Sequence, residues 1–252
     1  MGGALTLAST TSIEDSGLFG HILPLFRAVS GIDVHVVAVG TGQALVLGER
    51  GDANALLVHD HAGEDRFLAK GYGIDRRNVM YNYFVIVGPQ SDPAGIRRLK
   101  SARQAFVRIA TARAAFVSRG DDSGTNRMER WLWRSANLTP DKSSSWYHAV
   151  GHGMRSTLRF AIGFNAYTLT DRATWANFKN PQNLEILTEG DPALFNLYSS
   201  ILVNPARWPP GRTDLARAWH EWLTSKPGLD AIRSYRINGE RVFFPLDDAA
   251  TR

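Results

Sequence analysis

Ser118-Arg119-Gly120-Asp121-Asp122-Ser123-Gly124-Thr125 is the stretch that decides how this chain is read. It follows the strand-like run Ala114-Ala115-Phe116-Val117 and precedes the helical pattern Met128-Glu129-Arg130-Trp131-Leu132-Trp133. Small hydroxyl-bearing residues at a strand-to-helix junction present several backbone N–H groups and O–H donors to one anion. A second junction opens the chain. There Leu5-Thr6-Leu7-Ala8 runs into Ser9-Thr10-Thr11-Ser12 and then into a helical pattern from Leu18 to Ala28. A third joins Val36-Val37-Ala38-Val39 to Gly40-Thr41-Gly42-Gln43-Ala44-Leu45. Three such junctions on β-α units point to one convergent pocket for an oxyanion.

Working outward, strand-like and helix-like segments alternate, which predicts an α/β architecture. Asn54 to Val58 reads as a buried strand, with a helix near Glu64 to Lys70. Two long β runs, Val79 to Val87 and Leu197 to Val203, read as crossovers between two lobes. That places lobe one at 1–82 plus 200–252 and lobe two at 83–199. A helix is expected from Gly153 to Gly163, a strand over Ala166–Leu169, and Asp171 as the N-cap of the next helix. Leu215, Ala218, Trp219, Trp222 and Leu223 carry helical periodicity near the C-terminus.

Composition narrows the function. With 252 residues, 44% hydrophobic and 10% aromatic, the chain has ample core for one large domain or two lobes. No apolar run approaches the roughly 20 residues of a membrane-spanning helix. Zero cysteines exclude disulfides, thiolate chemistry and Cys-based zinc sites. A net charge of +5 favours anionic partners in general. The densest basic run is Arg97, Arg98, Lys100, Arg103, Arg108 and Arg113; with Leu99, Phe106 and Ile109 between, it reads as an amphipathic helix with a solvated basic face. No nucleic-acid motif accompanies it, so no nucleic-acid partner is expected. The chain enters strand-like Leu5-Thr6-Leu7 almost directly after Met1-Gly2-Gly3, so no secretion signal is expected within this sequence, and Met1-Gly2-Gly3 is compatible with the place of a removed one.

Taken in order, these fragments resemble the tungstate-binding component of bacterial ABC uptake systems, a relative of molybdate- and phosphate-binding proteins. The resemblance rests on Ser9–Ser12, Gly40–Leu45, Gly51-Asp52-Ala53 with Leu56-Leu57-Val58-His59, and Ser118–Thr125. It continues through Gly151-His152-Gly153-Met154 with Thr157-Leu158, Tyr167–Arg172 and Ile201–Pro205. It implies a two-lobed periplasmic-binding-protein fold of the second type, with two hinge strands and an oxyanion in the interlobe cleft. Tungstate, or else molybdate, is the implied ligand, with no cofactor and no metal bound through protein ligands. The implied ligand-binding residues are Thr10, Thr11 and Ser12, with Thr41 and Gly42, from one lobe, and Arg119, Ser123, Gly124 and Thr125 from the other. The implied setting is periplasmic or secreted, as a monomer that hands its anion to a membrane permease.

The chemistry agrees. Tetrahedral metal-oxyanions carry only acceptor oxygens, so a dry site must supply donors, which hydroxyls, backbone amides and helix N-termini do. One arginine adds a charge-assisted fork. Asp121 and Asp122 would repel a dianion, so they are expected to turn away and orient Arg119 or cap the helix. The chain departs from the family pattern at Ser9, where threonine is usual, and at Asn126, where histidine is usual. It departs again at His152 for glutamine and at Arg155 for a small residue.

Other readings compete. A phosphate- or sulfate-type binder offers the same tetrahedron; a phosphate site needs a carboxylate for the ligand's proton, which Asp121 or Asp122 could supply. A ligand-sensing domain without transport role shares the two-lobed fold. An enzyme lacks its parts: Ser123 has no elbow motif around it, and there is no Walker loop or dinucleotide fingerprint. His59-Asp60-His61 would place two imidazoles on one strand face, but with no further ligand cluster they read as polar strand-end residues. His148 and His152 read as loop residues, and Trp131, Trp133, Trp219 and Trp222 as core.

Overall fold

The structure is a computed structural model that describes residues 3–141, 143–208 and 213–247; Met1 and Gly2 lie outside the described residues. The first half of the chain lays down β1 (Ala4–Thr10), α1 (Thr11–Ser16), α2 (Leu18–Ser30), β2 (Asp33–Val39) and α3 (Thr41–Arg50). Next come β3 (Ala55–Val58), α4 (His61–Ala69), β4 (Gly73–Pro89) and α5 (Ala102–Thr111). The middle holds β5 (Phe116–Ser118), α6 (Gly124–Ser135), β6 (Tyr147–Ala149), α7 (Met154–Gly163), β7 (Thr168–Asp171) and α8 (Arg172–Ala176). The described chain closes with β8 (Leu184–Thr188), β9 (Phe195–Val203), α9 (Thr213–Thr224), α10 (Lys226–Ser234) and β10 (Phe244–Pro245).

These elements form two compact α/β units, Met1–Asn82 with Leu197–Arg252, and Tyr83–Asn196. The chain passes between them inside β4 and inside β9, the second boundary falling at 196/197 rather than 199/200.

In the first unit the strand order is β10-β4-β9-β3-β1-β2. β1 pairs in parallel with β2, from Ala4 opposite Asp33 to Thr10 opposite Val39, and with β3, Ser9 opposite Leu57. β3 then pairs antiparallel with β9. A helix follows each parallel strand, the βαβ pattern expected of residues such as the fully buried Ala55–Val58 run. Ala8, Leu45, Leu56, Val58, Phe67 and Ile201 pack as one cluster of this unit's core. In the second unit the later part of β4 pairs antiparallel with β7 and β8, and β5 pairs in parallel with β6. Its core is aromatic: Trp133 meets Phe106 at 4.2 Å and Phe116 edge-on at 5.2 Å between ring centres.

Several expectations are corrected. The helix expected from Leu18 is there as α2, but a separate short helix, α1, precedes it; Gly17 at φ +84° ends α1 and opens α2, and a Cβ there would sit 2.8 Å from the Tyr235 hydroxyl. The basic run is not one helix. Arg98 and Arg113 have φ of +63° and +48°, outside helical space, so α5 carries only the Arg103 and Arg108 part. β4 begins at Gly73, six residues before Val79. Trp131 is 47% exposed and Trp222 half-buried, so only Trp133 and Trp219 are core. α10 and the strands β6, β8 and β10 were not read from the sequence. Asp171 caps α8 as expected, accepting from the Thr174 N–H at 2.9 Å.

Phe67 is 1% exposed within the first unit's core. Phe67→Ala should lower unfolding free energy by about 3–5 kcal/mol, measured by chemical denaturation, through lost burial and the cavity left behind.

Candidate functional site

Parallel strands that end in register bring their following loops to one edge of a sheet, which is where α/β folds place ligands. In the first unit β1, β2 and β3 do this, and α1, α3 and α4 begin at that edge. The residues before these helices, Thr10, Gly40 and Asp60, make no side-chain capping bond. Initial N–H groups of such helices call for another acceptor. Thr10 and Ser12 are buried, their hydroxyls 3.3 Å apart, and Ser12 Oγ lies 3.5 Å from His59 Nε2. His59 in turn packs on Tyr198, ring centres 4.8 Å apart. Ser9 is spent on structure, donating to the Leu57 carbonyl at 2.8 Å. Thr41, the first residue of α3, is 0% exposed, and its Oγ1 has no hydrogen-bond partner among the described residues. Gly42 follows it in the first turn and is half-buried.

In the second unit the loop 119–123 links β5 to α6. Gly120 turns it at φ +62°, where a Cβ would come 2.9 Å from the Cβ of Ala149. Ser123 caps α6 by accepting from the Asn126 N–H at 3.3 Å, which leaves its own O–H able to donate. Thr125 is 2% exposed, and its Oγ1 also has no partner among the described residues. Arg119 is 3% exposed and donates through Nε (3.1 Å) and Nη2 (2.6 Å) to Asp121 Oδ2. Asp121 Oδ1 accepts from the Ser123 N–H at 3.2 Å. Asp171, its carboxyl pushed up by burial, also acts electrostatically on Arg119.

Asp121 therefore orients Arg119, but neither aspartate caps the helix; Ser123 does, and Asp122 pairs with Arg127 at 2.7 Å. Within each unit the expected residues do gather. Thr10, Thr11, Ser12, Thr41 and Gly42 share one sheet edge, and Arg119, Ser123, Gly124 and Thr125 share one loop and helix start.

Sequence reasoning missed His59 as a neighbour of Ser12. His59 and His61 do not share a strand face: β3 ends at Val58 and His61 opens α4. Among the described residues no group of His, Cys, Asp and Glu is arranged to hold a metal ion. His148 belongs to β6, stacked on Phe164 at 4.6 Å between ring centres, and is not a loop residue. Glu64 and Glu129 were also missed; four-residue spacing from Asp60 and from Thr125 is the signal that places each one turn beyond a junction. Asp75, His220 and Ser200 align, with Ser200 Oγ 2.8 Å from His220 Nδ1 and His220 Nε2 3.4 Å from Asp75. Ser200 and His220 are both fully buried, so this chain of contacts is part of the packing.

The chain belongs to the family described as PBP superfamily domain, whose model matches residues 2–227. It is 45% identical over 246 residues to a putative ABC transporter anion-binding protein of Haloferax volcanii, covering 96% of this chain and 71% of that one. It is 41% identical over 235 residues to the tungstate-binding protein TupA of Peptoclostridium acidaminophilum, covering 92% and 82%. Among solved structures it is similar to the tungstate-binding protein TupA of Desulfovibrio alaskensis G20, with 40% identity, a TM-score of 0.84, and 96% and 98% of the two chains covered. No described helix is long and apolar enough to cross a membrane.

Burial pushes the Glu64 carboxyl up to about 7, against the Ser199 hydroxyl, the Asp60 N–H and Arg76, which favour its charge. An acid raised in the folded state stabilises that state while protonated. Its contribution is complete below its ordinary value of 4.5 and is lost as pH rises to about 7. Glu64→Gln should therefore flatten the fall of the thermal midpoint across that window; an unchanged slope would mean the carboxyl is already ionised there.

Proposed function

We propose that this protein captures a tetrahedral oxyanion, tungstate first and molybdate next, as the substrate-binding component of an ABC uptake system outside the cytoplasm. The ligand-binding residues of the proposal are Thr10, Thr11, Ser12, Thr41 and Gly42 in the first unit, and Arg119, Ser123, Gly124 and Thr125 in the second. Support comes from the relatives named for anion and tungstate binding and, above all, from one structural observation. Thr41 Oγ1 and Thr125 Oγ1 are both buried hydroxyls without partners, each in the first turn of a helix. A buried unsatisfied hydroxyl costs about 1–3 kcal/mol, a penalty relieved by a ligand made only of acceptors.

The carboxylates argue against hydrogenphosphate. Its proton needs a carboxylate to receive it, yet Asp121 is turned to Arg119 and the Ser123 N–H, and Asp122 to Arg127, rather than held for a ligand. A fully deprotonated dianion makes no such demand. Arg119, held by Asp121, meets it with a fixed guanidinium plane rather than a mobile charge. The protein acts as a monomer in this reading, delivering the anion to a membrane permease, and it needs no cofactor. No catalytic step is part of it.

Calorimetric titration of site variants with sodium tungstate tests the assignment. Arg119→Ala should lose about 1.5–3 kcal/mol of binding, and Thr11→Val, Thr41→Val or Thr125→Val about 0.5–1.5 each. Arg119→Lys should recover only part of the loss, since an ammonium cannot reproduce the fork. A folded Arg119→Ala protein that binds tungstate like the wild type would remove the second unit's loop from the site. Silence at both Thr11 and Thr41 would remove the first unit's set.

A further inference from the structure

Thr125 and Glu129 stand four residues apart on α6, so they share a face, with Glu129 one turn (about 5–6 Å) further along the helix. The Glu129 carboxylate is enclosed in protein and collects four donors. Oε2 accepts from Ser118 Oγ at 2.6 Å and Asn126 Nδ2 at 3.4 Å; Oε1 accepts from Tyr147 Oη at 2.8 Å and Trp133 Nε1 at 3.1 Å. Two of these donors fasten the ends of the Arg119–Thr125 loop. Ser118 is the last residue of β5, immediately before Arg119. Asn126 also donates to Ser118 Oγ at 3.1 Å, accepts from the Asp122 N–H at 3.2 Å through Oδ1, and sends its own N–H to Ser123 Oγ. Ser118, Asn126 and Glu129 thus form one polar knot beneath the loop. Among the described residues no arginine or lysine forms an ion pair with Glu129.

A carboxylate balanced only by hydrogen bonds lies one turn behind the place assigned to a dianion. In a region closed to water the two charges repel far more than in solvent. We propose that Glu129 is a positioning residue for the oxyanion loop and gains a proton as the anion binds, so that the dianion sits above a neutral carboxyl. This rests on the reading of the loop given under Proposed function. The network tolerates the change: a protonated Glu129 can donate to Ser118 Oγ, whose hydroxyl rotates, while Trp133 and the Asn126 amide still donate to the carboxyl's lone pairs. Burial alone already lifts Glu129 to about 7 against its four donors. A nearby negative charge then needs only a modest coupling to draw in the proton.

Other titratable and charged groups face the same region, and Asp171 shares the upward shift by burial, so the Glu129→Gln variant is what separates their parts. In the loop, Arg119 pairs with Asp121, and Asp122 with Arg127 of α6. Arg130 is the remaining cation near the middle of α6, and Arg103 of α5 donates to the Ser135 carbonyl. From β6 come His148 and Tyr147, whose phenol is raised by burial and by Glu129 and so stays protonated. From β7 comes Asp171, committed to Thr174 as the cap of α8.

The test is titration of the full chain with sodium tungstate in buffers of different ionisation enthalpy, from about pH 6 to about pH 8.5. The slope of observed heat against buffer enthalpy counts linked protons. Wild type should take up about 0.3–1 proton per anion near pH 7, and its affinity should fall about three- to tenfold toward the alkaline end. Glu129→Gln should bind tungstate with no linked proton and a flat affinity profile. Tungstate binding by wild type without proton uptake overturns the inference while leaving the site intact, as does a Glu129→Gln protein with the wild-type proton count. Should Glu129→Gln fail to fold, Glu129→Asp keeps a carboxyl at a changed depth and must shift the midpoint of proton uptake; an unmoved midpoint overturns the inference as well. Absence of binding to any oxyanion would instead remove the reading of the site, and this inference with it.

Discussion

Buried hydroxyls that lack an acceptor are the constraint on which the rest of this structure turns. A folded chain rarely leaves such groups unpaired, because the lost water contacts are not repaid. Thr41 and Thr125 are both left so, each at the first turn of a helix whose neighbouring N–H groups point the same way. The surroundings explain how this is sustained. In-register parallel pairing fixes where β1, β2 and β3 stop, and hence where Thr11, Thr41 and His61 start their helices. In the second unit the Ser118–Asn126–Glu129 knot and the Arg119–Asp121 pair fix the loop before Gly124. Donors held still in this way need no reorganisation when an acceptor arrives.

Charge is handled sparingly. Arg119 is the only cation among the residues assigned to the anion, and Asp121 offsets much of its charge while setting its plane. On that assignment the remaining attraction is left to dipoles, which do not carry the desolvation cost of several buried ions. Asn126 shows how such economy is built. Its amide gives one end to Asp122 and the other to Ser118 and Glu129, so a single side chain spans the loop from below. A residue there must both donate and accept, which bears directly on a position where this chain differs from the usual family pattern.

Much of this was legible in the sequence, and the reasons differ by element. The three junctions stood out because strand patterns break into hydroxyl residues at each of them, with glycines at two, and Asp171 stood out as a cap by its place before a helical run. The six-residue α1 was hidden, since it is shorter than two full turns and is delimited by the backbone conformation of Gly17. The basic run misled because charge spacing says nothing about the positive φ at Arg98 and Arg113. His59 and Glu129 were invisible as site neighbours for a different reason: their partners, Ser12 and Tyr147 among them, come from other strands and helices. Four-residue spacing marks Glu129 on the face of Thr125, but only the packed unit shows that face turned inward.

The most direct measurement of the central claim is competition calorimetry at neutral pH with tungstate as titrant and phosphate in large excess. A site built of donors for a fully deprotonated tetrahedral dianion should bind tungstate at about 1 μM or tighter, with an affinity unchanged by the phosphate. Full competition by phosphate, or no heat with any oxyanion, would contradict the account.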